Sequence, residues 1–220
     1  LEETTGGARL WQFSAREMLD DGFCLDGDTL VWRTPAGDLR ISATDELGDA
    51  GERPWGGVHN VDNALAASAA GLALQLPLSK IREGLRSFAP PPHRCEPVGT
   101  INGVRFINDS KATNPHAAIA GIRGTTVDGD ERLVWIGGGS AKDASFDELA
   151  EVLCARAHTI VLTGATAPRI AVPLGLQAAG DAGVVLLSPA CASFDSFRSY
   201  AHRGDEFRLA VSQLSAALKR

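Results

Sequence analysis

A chain of 220 residues with 44% hydrophobic and 22% charged side chains has an ordinary globular composition, enough for one large domain or two small ones. Its formal charge of −6, with no basic stripe, excludes a nucleic-acid binder, so any anionic ligand needs a locally basic pocket. No apolar run approaches a membrane span and no signal peptide precedes Leu1, so the expectation is a cytoplasmic protein without membrane insertion.

In chain order, residues 30–42 predict a β-hairpin around a Pro-Ala-Gly-Asp turn. An alanine- and leucine-rich helix runs from Asn60 to about Leu76. A second helix over 78–88 follows Pro77, with Ile81, Leu85 and Phe88 on one face. "APPPH" cannot continue a helix, so the domains divide as 1–88 and 89–220. "RCEPVGTI" and "VRFIND" then flank Asn102-Gly103, a hairpin signal. Asn114-Pro115 caps and starts a helix, and "RLVWIGG" (132–138) is a buried strand. Ser145 and Glu148 have capping-box spacing ahead of a helix through 157. Strands follow at 159–164 and 183–189, and a C-terminal helix from about Ser196 is interrupted near Gly204. Alternating strands and helices imply an α/β fold with a mainly parallel, doubly wound sheet. The four cysteines, Cys24, Cys95, Cys154 and Cys191, form no CxxC pair and read as buried, reduced thiols.

Ligands of such sheets sit outside the carboxyl ends of the strands. Three polar clusters fall there: "NDSKATN" (108–114), "GGGSAK" (137–142) and "SPACAS" (188–193). Turn and cap preferences account for the Asn, Asp and Ser residues of the first, but not for Lys111. "GGGSAK" is equally readable as a tight strand-to-helix turn, because the chain contains neither GxxxxGK[ST] nor GxGxxG. Asn60 and Asn63 lie three apart at a helix start. They read either as an ordinary cap or as carboxamides facing a flat heterocycle. Arg94 is a surface arginine or a phosphate anchor, and "SPACAS" is a close-packed turn or a cradle for a carboxylate.

Taken in order, "HNVDNALAA", "HRCEPV", "FINDSKATN", "GGGSAK" and "SPACASFDSF…RGDEF" resemble the Mur ligases, most of all their D-glutamate-adding branch. The resemblance runs from about Gly57 to the C-terminus. It implies that residues 1–88 are the tail of a central α/β ATPase domain and 89–220 a C-terminal Rossmann-like domain that brings the amino acid. The phosphate loop, the UDP-binding domain and the magnesium ligands of the family are not found among these residues. The start without Met suggests a fragment. The family also has a longer segment between Gly164 and Ser188, so this stretch is either a deletion or lacks residues.

The resemblance implies an ATP-dependent ligase that joins D-glutamate to UDP-N-acetylmuramoyl-L-alanine through an acyl phosphate, with Mg2+, as a monomer. Asn60 and Asn63 would contact adenine, Arg94 the phosphates or ribose, and Asp109 the ribose hydroxyls. Lys111, Thr113 and Lys142 would hold the α-carboxylate side of D-glutamate. Ser193, with the backbone near Phe194 and Tyr200, would take its side-chain carboxylate. Tyr200 stands where the family more often has Phe. The competing expectations are a folylpolyglutamate synthase and a non-catalytic nucleotide-binding module.

Overall fold

Short runs of alternating apolar residues make up the first sheet in a computed structural model that describes residues 10–48, 58–140, 145–162 and 175–219. The chain divides into two units, Leu1–Ala89 and Pro90–Arg220. In the first, β1 (Phe13–Ser14), β2 (Gly22–Asp26), β3 (Thr29–Arg33) and β4 (Leu39–Ala43) lie in the order β1-β2-β3-β4. The β3–β4 pair is the expected hairpin. Helices α1 (Val58–Ala73) and α2 (Leu78–Ser87) cover the sheet, and Phe23, Leu30, Ile41, Leu65, Ile81 and Leu85 form the core. Arg82 of α2 donates to the carbonyls of Ile41 and Arg40 at 2.7 and 2.9 Å, tying helix to strand.

Two expectations about these helices are corrected. Helix α1 ends before Leu76, because Gln75 adopts a left-handed φ of 59° and the Leu76 amide folds back onto the Gly71 carbonyl at 3.0 Å. Phe88 does not extend the buried face of α2. It is the extended C-cap residue and is 45% exposed.

The second unit holds a five-stranded sheet, with β5 (Glu96–Ile101), β6 (Val104–Asn108), β7 (Arg132–Gly137), β8 (Thr159–Leu162) and β9 (Gly183–Leu187) in the order β5-β6-β9-β7-β8. Strands β5 and β6 are antiparallel across Asn102-Gly103, whose φ values of 48° and 81° are those a two-residue primed turn demands. The other three pairings are parallel.

Strand β9 is buried on both faces, as expected of a central parallel strand. Val184 and Leu186 pack with α3 (Pro115–Gly124) and α4 (Asp147–Arg156), whereas Val185 and Leu187 pack with α5 (Tyr200–Leu218). Helices thus cover both faces, which makes the sheet doubly wound. The helix leaving β9 packs on one face, and those leaving its neighbours β6 and β7 pack on the other. Such a reversal opens a crevice at the strands' carboxyl ends.

Asn114 caps α3 as expected, accepting from the Ala117 amide at 2.9 Å, with Pro115 in the first turn. The Ser145–Glu148 capping box does not form. Helix α4 starts at Asp147, Ser145 bonds Asp147 at 2.8 Å, and Glu148 pairs with Arg123 at 3.3 Å. Gly204 does not interrupt the C-terminal helix. It is buried in α5 because a Cβ there would collide with the His93 ring. None of the four cysteines forms a disulfide, and only Cys24 and Cys191 are buried. Cys154 is exposed, since Leu149, Val152 and Leu153 take the inner face of α4. Of the segment between Gly164 and Ser188, residues 165–174 lie outside the described residues. No described helix is long and apolar enough to cross a membrane.

Candidate functional site

Backbone hydrogen bonds at the end of β9 bring the three polar loops together. The Asp109 amide donates to the Leu187 carbonyl at 2.7 Å, and the Ser188 amide to that of Ile136 at 3.1 Å. Beyond the strand ends, Gly138 donates to Pro189 at 3.0 Å. Ser140 and Ala192 exchange a pair of bonds at 3.0 and 3.1 Å. Gly139 fits only without a side chain, since a Cβ would strike the Ala192 carbonyl and its φ is 133°. Residues 137–140 of "GGGSAK" therefore lie against "SPACAS", whereas Ala141 and Lys142 fall outside the described residues.

Within the 108–114 loop the side chains divide by burial. Asn108 is fully buried; its amide nitrogen lies 3.0 Å from His93 Nδ1 and 3.3 Å from the Gly204 carbonyl. Asp109 is 5% exposed; its carboxylate accepts from the Ser188 hydroxyl at 2.7 Å and from the Cys95 amide at 3.1 Å. Burial pushes this carboxyl up to about 6, against the Ser188 and Cys95 hydrogen bonds and the Arg94 charge, which pull it down. Gly121 of α3 leaves room for that carboxylate, because a Cβ would meet Asp109 Oδ2.

Lys111 is half-buried, with Nζ 3.4 Å from the Tyr200 hydroxyl and 4.8 Å from the centre of its ring. Its backbone amide donates to the His93 carbonyl at 3.0 Å, which ties the loop to the segment bearing the half-buried Arg94. Thr113 is half-buried. Ser193 is 2% exposed, and its carbonyl accepts from the amides of Ser196 and Phe197 at 3.2 and 2.7 Å. Phe194 points to solvent at 74% exposure. Ser199 caps α5 by accepting from the His202 amide at 3.1 Å, so Tyr200 opens that helix beside Lys111.

The second unit thus gathers Arg94, Asp109, Lys111, Thr113, Ser193 and Tyr200 around the β6 and β9 ends. Asn60 and Asn63 belong to the first unit, in the first turns of α1, with Asn63 exposed. Among the described residues no group of three or more His, Cys, Asp or Glu could hold a metal ion. A groove of about 380 Å³ between β5 and α5 lies at the opposite end of the sheet from these loops.

Sequence reasoning missed His93, Ser110, Ser188 and Arg203. The serines lie inside the polar clusters but look like turn residues. Arg203, on a helix with charged neighbours, resembles a solvated surface arginine, yet it is 2% exposed.

Residues 93–189 match the family model described as "Mur ligase, glutamate ligase domain". A UDP-N-acetylmuramoylalanine–D-glutamate ligase of Symbiobacterium thermophilum is 38% identical over 209 residues, covering 86% of this chain and 44% of that protein. One of the same name from Pseudomonas fluorescens is 42% identical over 177 residues, covering 72% and 40%. The chain spans less than half the length of these curated relatives. Among solved structures, an Acinetobacter baumannii UDP-N-acetylmuramoylalanyl-D-glutamyl-2,6-diaminopimelate–D-alanyl-D-alanyl ligase superposes with a TM-score of 0.59 at 18% identity, covering 92% of this chain and 46% of that one. A pseudomurein peptide ligase of Methanothermus fervidus gives 0.58 at 16%, covering 90% and 43%. At these identities the structural likeness speaks for the fold alone. By the matched residues and its strand-end loops, the chain carries the glutamate ligase domain of the Mur ligase family.

Proposed function

We propose that the full-length protein is a cytoplasmic, monomeric, ATP-dependent ligase that adds D-glutamate to UDP-N-acetylmuramoyl-L-alanine in peptidoglycan precursor synthesis. The observation that carries this reading is the meeting of "NDSKATN" and "SPACAS" at the ends of β6 and β9, with the Lys111 ammonium beside the start of α5. A dicarboxylate approaching an acidic protein needs such a cationic, hydroxyl-lined crevice, and charge-assisted hydrogen bonds are the strong ones. The naming of the relatives at 38–42% identity supports the same substrate.

In this reading the L-alanyl carboxylate attacks the γ-phosphorus of ATP, releasing ADP and leaving an acyl phosphate. The D-glutamate amine then attacks the acyl carbon, and the tetrahedral intermediate expels phosphate and loses a proton to give the amide. Asn60 and Asn63 read adenine, and Arg94 approaches the phosphates or ribose. Asp109, assigned to the ribose, also fixes the Arg94–Cys95 segment through its bond to the Cys95 amide. Lys111, Thr113 and Lys142 hold the α-carboxylate side of D-glutamate. Ser193 and the backbone near Phe194 and Tyr200 hold the side-chain carboxylate. Phosphoryl transfer rests mainly on positioning and charge neutralisation, with Mg2+ held by residues outside this chain.

The test is phosphate release by the full-length protein with ATP, UDP-N-acetylmuramoyl-L-alanine and either D- or L-glutamate. Release should require the D isomer. Turnover with a folate and L-glutamate instead would replace this reading with a folylpolyglutamate synthase. ATP binding with no turnover on either set would leave only a nucleotide-binding module.

A further inference from the structure

Arg203 lies in the first turns of α5 and is 2% exposed. Its guanidinium makes three hydrogen bonds, all to the strand-end loops. Nε donates to the Ser110 hydroxyl at 3.0 Å, Nη2 to the Ser110 carbonyl at 2.9 Å, and Nη1 to the Cys191 carbonyl at 3.2 Å. The Ser110 hydroxyl in turn donates to the Tyr200 carbonyl at 2.7 Å, closing a ring of contacts between the 108–114 loop and the start of α5.

Arg203 has no carboxylate within 4.0 Å among the described residues, and the charge of Asp195 acts on it and supports its charged form. Burial pulls its proton affinity down to about 10, so it remains charged at neutral pH. A buried guanidinium without a carboxylate is costly, and a hydrophobic residue could fill the space if packing were the only requirement. What packing does not supply is a planar fork that fixes two loops at once, together with a positive charge beside them.

We infer that Arg203 is a positioning residue of the amino-acid site. It sets the spacing between the loop bearing Lys111 and Thr113 and the loop bearing Ser193, and its positive charge favours a dicarboxylate between them. The inference rests on the proposed D-glutamate ligase activity. It places a functional role on a side chain that reaches the site only through Ser110 and Cys191.

The experiment is steady-state kinetics of the full-length protein and its Arg203→Lys, Arg203→Met and Ser110→Ala variants, each checked for a native circular dichroism spectrum. Arg203→Met should raise KM for D-glutamate by about ten-fold or more while KM for ATP stays within about two-fold, a split that general loosening of the fold would not produce. Arg203→Lys, which keeps the charge but loses the fork, should fall between wild type and Arg203→Met. Should Arg203→Met fail to fold, Arg203→Lys and Ser110→Ala carry the test, and both should raise the D-glutamate KM selectively. Unchanged D-glutamate KM in those two variants overturns the inference, as does an equal rise for ATP. A wild-type protein without D-glutamate-dependent turnover overturns the ligase reading instead.

Discussion

Asp109 combines a position at a strand end with nearly complete burial, and its chemistry follows from that conflict. Its native carboxyl stands at about 6 against an ordinary value of 3.8, because desolvation of the charge outweighs the bonds from Ser188 and Cys95. A carboxyl raised on folding binds its proton more tightly in the native state. Its contribution to stability is therefore full below about pH 4 and is lost as the pH rises through about 6. Asp109→Asn keeps an acceptor for Cys95 and places an amide against the Ser188 oxygen, without a titrating charge. Between pH 4 and 7 the variant should gain on wild type by on the order of 2–3 kcal/mol. Urea unfolding of both proteins at pH 4.5 and 7 measures this, and a pH-independent difference between them would count against it.

Within elements, close approach decides more than propensity. A glycine in the first half of α5 lowers helix propensity by about 1 kcal/mol relative to alanine, yet Gly204 lets the helix lie directly on the His93 ring. The same approach allows the Gly204 carbonyl to accept from Asn108 at 3.3 Å. Gly204→Ala should therefore destabilise the protein by about 1–3 kcal/mol, an overpacking cost, even though alanine is the better helix former. A thermal melt of the variant reads this out. A raised melting temperature would mean that propensity, not packing, governs the position.

The whole molecule divides its work between two units with separate cores, one around Phe23, Leu65 and Leu85 and one on the two faces of β9. A unit with its own core can in principle fold alone, so an isolated Pro90–Arg220 piece should show a cooperative thermal transition. Turnover is a different matter. These 220 residues contain no GxxxxGK[ST], and the acyl phosphate needs a site for the ATP phosphates. The 220-residue chain by itself should accordingly release no phosphate on the proposed substrates. A non-cooperative melt of the isolated piece would refute the first expectation, and D-glutamate-dependent phosphate release by the 220-residue chain the second.

The sequence by itself determined what depends on local backbone chemistry. Asn102-Gly103 accepts positive φ at two successive residues and so marks the hairpin. Asn114-Pro115 caps and pre-shapes a helix start. Continuous apolar runs predict buried parallel strands, and their polar ends locate the three loops at one edge of the sheet. Only the tertiary structure decided the features that depend on residues far apart in the chain. The central place of β9 comes from pairing with β6 and β7, which precede it by many residues. The burial of Asp109 comes from Ser188 and Gly121, and that of Arg203 from Ser110 and Cys191. A charged side chain carries no local mark of its own desolvation. Arg203 reads as a solvated arginine until the strand order brings two loops around it.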